Sequence, residues 1–142
     1  MAKPYGMNAN GTLVPINVGV DFLTGTSVNG MTAGNKVLWK DTLGNIEVFD
    51  GVEAHAHLIC GVSDGTAVVA GGTVTYMPVD GVLPNLNPFI TVGTGELYAK
   101  DDGTLGVISS LTPGKASRRI GTLAKNDGST LYLDFDTVFE VT

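Results

Sequence analysis

The sequence predicts an all-β fold: a small β-sandwich or barrel-like domain of short antiparallel strands carrying an extended N-terminal arm. Three observations predict it. Glycine supplies 20 of the 142 residues, about twice its usual share. Valine and threonine are frequent while charged residues make up only 15%, a mix that suits strands joined by tight turns rather than helices. Short apolar runs recur between turn signals, and no segment sustains helical periodicity. The length fits one domain, and a chain of roughly 150 residues buries about 68–70% of its unfolded surface, enough for a core without metal or disulfide.

The elements follow in order. Residues 1–34 are expected to form the arm, and residues 35–142 the β-domain. The arm is dense in Gly, Asn and Thr, and Pro15 interrupts "LVPINVGV", which is at best an edge strand because proline cannot donate to a ladder. "KVLWKD" and "NIEVFDG" flank the turn "TLGN". "VEAHAHLIC" alternates, with Val52, Ala54, Ala56, Leu58 and Cys60 on one face of an expected strand. "TAVVA" and "TVTYMPV" flank Gly71-Gly72, a two-residue hairpin signal. "GELYAK" and "TLGVIS" flank Asp101-Asp102-Gly103, and "IGTLAK" and "STLYLDF" flank Asn126-Asp127-Gly128. In the last strand Leu131, Leu133 and Phe135 share one face, and Tyr132, Asp134 and Asp136 the other. A single helical turn is expected near "SSLTPGKAS", broken by Pro113-Gly114.

The formal net charge is -6, and no Lys or Arg occurs from Asp41 to Ala99. Binding to nucleic acid or to an anionic membrane needs clustered cations, so neither is expected. Cys60 is the only cysteine, which rules out an intramolecular disulfide, and its apolar setting "HLICGV" predicts a buried, inert thiol. "MAKPYGMNAN" has no apolar signal region, and no run of about 18 apolar residues exists. Synthesis and folding in a reducing cytoplasm are therefore expected.

Glu53, His55 and His57 are the sharpest chemical candidate. At i, i+2 and i+4 of a strand they would share one face, where two imidazoles and a carboxylate could approach one metal. Zinc takes three or four ligands, and the chain has no third histidine. The His-x-His spacing invites comparison with the cupin motif, but the next glutamate after His57 is Glu96, and the likeness ends at these residues. No Gly-x-Ser-x-Gly elbow, P-loop or GxGxxG is present. The Asp-Gly clusters lack EF-hand spacing and read as turns. Trp39 reads as a core or interface anchor. No catalytic residue, cofactor or bound metal is expected, and the remaining work is binding.

One series of segments carries a resemblance. "MTAGNKVLWKDTLGNIEVFDG" leads to an alternating stretch ending "CGV". "VAGGTVTYMPVDGVL", "GELYAKDDGTLGV" and "RRIGTLAKNDGSTLYLDFD" follow. This order, from Met31 to Phe135, resembles the head decoration (cement) proteins of tailed bacteriophages, in particular those with a β-tulip fold. The resemblance implies a homotrimer on the outer surface of the mature capsid. It would sit on the major capsid protein at three-fold or quasi-three-fold positions and hold neighbouring capsomers against internal DNA pressure. It implies no catalytic residues. Two alternatives stay open: a structural subunit of a phage tail or fibre, and a cupin-like metal-binding protein.

Contacts with partners are expected at two places. Val14, Ile16, Val18 and Phe22, with Val20 and Leu23, are apolar residues of the arm and would add a strand to a neighbour's sheet edge. Arg118 and Arg119, the only arginines of the chain, stand side by side on an incipient strand and should point to opposite faces. Either one meets solvent and the other pairs with an acidic group in its own trimer or on the capsid, for which the guanidinium fork is suited, or both are solvated strand-edge charges that discourage aggregation between sheets.

Overall fold

The structure is a computed structural model, and it describes residues 5–7, 11, 13–15, 20–84, 86, 95–124 and 129–142. Its strands are short, as expected. Five of them, β3 (Leu23–Ser27), β4 (Val37–Lys40), β5 (Ile46–Val48), β6 (Ile59–Ser63) and β7 (Gly72–Pro78), close into a barrel in the order β3-β5-β4-β6-β7. A second sheet orders β8 (Val82–Leu83), β9 (Glu96–Ala99), β10 (Leu105–Gly106), β12 (Arg119–Leu123) and β13 (Leu131–Leu133) as β10-β9-β12-β13-β8. β11 (Ala116–Ser117) pairs with β14 (Phe139–Glu140), and β1 (Tyr5–Met7) with β2 (Leu13–Pro15). The fold is all-β and barrel-like, in agreement with the sequence reading.

Burial explains why β4 reads as a continuous apolar run. Val37, Leu38 and Trp39 point alternately to opposite sides, yet all three are buried. Leu38 faces the barrel interior with Ile46, Val74 and Tyr76. Val37 and Trp39 join Phe49, Val62 and Met77 against Leu97, Ile120, Leu123, Leu131 and Leu133 of the second sheet. A strand with core on both faces cannot alternate apolar with polar. Within the narrow barrel, Gly25 is required by space: a Cβ there would lie 2.6 Å from Cγ1 of Ile46.

Three hairpins expected from turn chemistry are present as antiparallel pairs: β4 with β5, β9 with β10, and β12 with β13. In the first turn, the Asp41 carboxylate accepts from the backbone N–H groups of Leu43 and Asn45, the local bonding that makes Asp a turn residue. The turn residues Asn126, Asp127 and Gly128 lie outside the described residues. The expected single helical turn is the 3-10 turn Ile108–Ser110.

Three expectations are corrected. The stretch from Val52 is not a strand: Glu53–Ala56 forms a short helix, α1. Asp50 turns the chain by accepting from the Val52 N–H. Glu and Ala then favour helix, and only Ala56 of the apparent apolar face before Ile59 is buried, while Val52 and Leu58 are exposed. The Gly71-Gly72 hairpin does not form either. Val68 makes only an isolated bridge to Met31, Val69 is exposed, and β7 instead pairs with β3 over five residues and with β6. Consequently the stretch expected to be an arm up to residue 34 contributes β3 to the barrel.

Candidate functional site

The two arginines stand where β11 passes into β12, and they diverge as adjacent strand residues should. The Arg118 Nε–H donates to the Asp136 carbonyl at 2.8 Å, and Nη1 donates to the Ala56 carbonyl at 3.2 Å, near the C-terminal end of α1. Its guanidinium lies over the Phe135 ring, 5.3 Å from the centroid. Burial pushes the Arg118 pKa down, and Asp136 opposes that shift. Arg118, between β11 and β12, thus clasps α1 and the segment after β13.

Arg119 takes the other side. Its Nη2 lies 3.4 Å from Asp134 Oδ2 and its Nε 3.7 Å from Asp136 Oδ2. The backbone repeats the bracket, with Asp134 N–H donating to Ile120 O and Asp136 N–H to Arg119 O. The carboxylate partners of Arg119 lie within the same chain. Both guanidinium groups have internal partners, and neither is presented as a bare cation to another molecule.

Beside Arg119 runs a groove of about 280 Å³ lined by Tyr98, Ile108, Arg119, Asp136, Thr137 and Phe139. Tyr98 and Phe139 meet edge to face, with centroids 6.0 Å apart. The Tyr98 hydroxyl donates to Glu96 at 3.2 Å, and burial followed by that carboxylate pushes its pKa up. A second cavity of about 350 Å³ lies across Phe139, lined by Gly51, Glu53, Gly114, Ala116, Val138 and Glu140 as well. Among the described residues no Ser, Cys or His lines either space. Of the two, the groove beside Arg119 has the more apolar lining.

Glu53, His55 and His57 are not brought to one face. On α1, positions i and i+2 diverge by about 200°. His55 stacks on Trp39 with ring centroids 3.6 Å apart and planes within 8°. Its Nδ1 lies 2.8 Å from an Asp50 carboxylate oxygen. His57 is exposed, 3.9 Å from Glu53. Among the described residues no group of three His, Cys, Asp or Glu side chains is placed to hold a metal ion. Trp39 is a core anchor, as read from the sequence, with one ring face covered by His55. Asp50, the partner of His55, was not singled out by its sequence context; its signal was the Asp-Gly turn just ahead of the helix.

The remaining candidates are dispersed. Phe22 is exposed just before β3 and Val14 belongs to β2, while Ile16 and Val18 lie outside the described residues. Cys60 is half-buried, and burial raises its thiol pKa to about 11. Among the described residues no helix is long and apolar enough to cross a membrane. The chain matches no family model and no curated protein.

Proposed function

We propose that the protein is a structural virion component: a homotrimeric decoration protein on the outer surface of an assembled phage head, bound to the major capsid protein and bracing it against internal DNA pressure. The resemblance of residues 31–135 to head decoration proteins supplies the idea. One observation carries it further. The closed barrel, packed on a second sheet, holds its loops on a stiff frame and displays apolar side chains at their tips, with Leu43 85% and Val69 78% exposed. Apolar side chains at loop tips gain free energy when another protein covers them. Several weak contacts of this kind, repeated in three linked copies, reinforce one another through effective concentration. The acidic balance of the chain keeps such a protein off the packaged DNA.

The test is to strip the protein from virions, heat the particles and follow DNA release. Stripped heads are expected to release DNA at lower temperature, and added purified protein to restore them. Leu43→Glu should fail to restore. Fractionation with tails, or stripped heads as robust as intact ones, would replace this reading with a tail or fibre subunit.

A further inference from the structure

We infer that copies of this chain meet through the uncharged flank of the barrel formed by β3 and β7. The inference rests on the assembly of like chains in the reading above and adds the surface that joins them. Thr24 stands directly opposite Thr75, and Thr26 opposite Thr73. Gly25 and Val74, between them, face inward: Val74 is buried and a Cβ on Gly25 would touch Ile46. Alternation therefore sends the four threonines outward. Thr24, Thr26 and Thr73 are exposed and Thr75 is half-buried, with exposed Phe22 and Val28 at the ends of the β3 stretch.

Electrostatics selects the occupant. Each chain carries a formal charge of -6, so two copies repel wherever their carboxylates face one another. Residues 22–28 and 72–78 contain no charged side chain, so this flank can be covered without desolvating an unpaired carboxylate. It is also self-complementary. A threonine hydroxyl donates one hydrogen bond and accepts up to two, so in a ring of identical chains each array can donate to the next copy and accept from the one before. A surface of one charge sign cannot match itself in this way. Threonine is β-branched and stiff at χ1, so little rotamer freedom is lost on covering it. Carboxylates border the flank: Asp21 precedes it, Asp64 donates its backbone N–H to the Thr75 carbonyl, and Glu47 accepts from Asn29. They repel across the contact, and salt should relieve that repulsion.

Sedimentation velocity on the full chain, at low and high salt, tests the inference. The wild type is expected to sediment as an oligomer that tightens as salt rises. Thr26→Glu/Thr73→Glu places like charges across the contact and should raise the dissociation constant roughly 100-fold or more. Circular dichroism checks that the variant is folded, and the single change Thr26→Glu serves if the pair is not. A monomeric wild type, an oligomer indifferent to these changes, or association that weakens with salt would each overturn the inference. An oligomer that depends on this flank yet does not bind phage heads would remove the decoration reading and leave this surface standing. An oligomer indifferent to the changes that still binds heads would do the reverse.

Discussion

Replacing Arg118 by alanine is expected to destabilise the fold by about 2–4 kcal/mol, and the same change at Arg119 by about 1 kcal/mol. Arg118 donates to two backbone carbonyls at 2.8 and 3.2 Å and covers the Phe135 ring. A hydrogen bond from a charged donor contributes roughly 1.5–3 kcal/mol, and an exposed cation–π contact about 0.5–1. The sum is discounted because carbonyls near the surface regain water once the side chain is gone. Arg119 makes longer ion pairs, at 3.4 and 3.7 Å, to carboxylates that are 43% and 60% exposed. Pairs of that kind are worth about 0.2–1 kcal/mol each. A difference of about 2 kcal/mol corresponds to roughly 6–8 °C in midpoint for a chain of this size. Thermal and urea unfolding followed by Trp39 emission would measure it. Arg118→Lys should recover less than half of the loss, because an ammonium on a flexible stem does not reproduce the fork that spans both carbonyls. Equal losses for the two alanine variants would sink the assignment of Arg118 as the clasp and Arg119 as the weaker ion pair.

Thr122→Val is expected to stabilise the protein by about 1 kcal/mol, since the Thr122 hydroxyl is buried with no hydrogen-bond partner among the described residues and valine keeps its shape; a lower urea midpoint would contradict this. His55→Ala removes the ring stacked on Trp39 and its bond to Asp50, so Trp39 emission should move to longer wavelength with a loss of about 1–2 kcal/mol; an unchanged spectrum would mean that the stack does not exist in solution. The Cys60 thiol has its pKa raised from 9.0 to about 11 in the folded chain, first of all by burial. The unfolded chain therefore loses that proton first, and stability should fall as pH rises from about 9 to 11 and not below. Cys60→Ala should flatten that slope, and an unchanged slope would count against the buried thiol as its source.

Much of the fold was legible along the chain because turn chemistry is local. The β4–β5, β9–β10 and β12–β13 pairs each join neighbouring segments that Asp, Asn or Gly residues separate in the sequence, and such residues favour the tight turns that pair adjacent strands. The burial of Leu131 and Leu133 with Tyr132 turned outward followed from period-two alternation alone. The pair β3–β7 was not legible. Its partners are far apart in sequence, and the Gly-Gly signal beside β7 pointed to a nearer strand that the barrel does not use. α1 was hidden for a related reason: in so short a segment, alternating alanines fit a strand as well as a helical turn, and only the burial of Ala56 against the core separates them.

The residues of the candidate site were likewise visible as types but not as partners. Side-by-side arginines on a strand must diverge, and that much needs only the backbone period. That Arg118 reaches Ala56, and that His55 lies flat on Trp39 and away from His57, depends on how the barrel and second sheet bring distant segments together. By itself the sequence determined an acidic, turn-rich, all-β chain with no sustained helical period, because composition and local backbone preference act within a few residues. The tertiary structure alone decided the closure of the barrel, the internal pairing of both arginines and the neutral flank it leaves outward, because each depends on contacts between residues that only folding brings within reach.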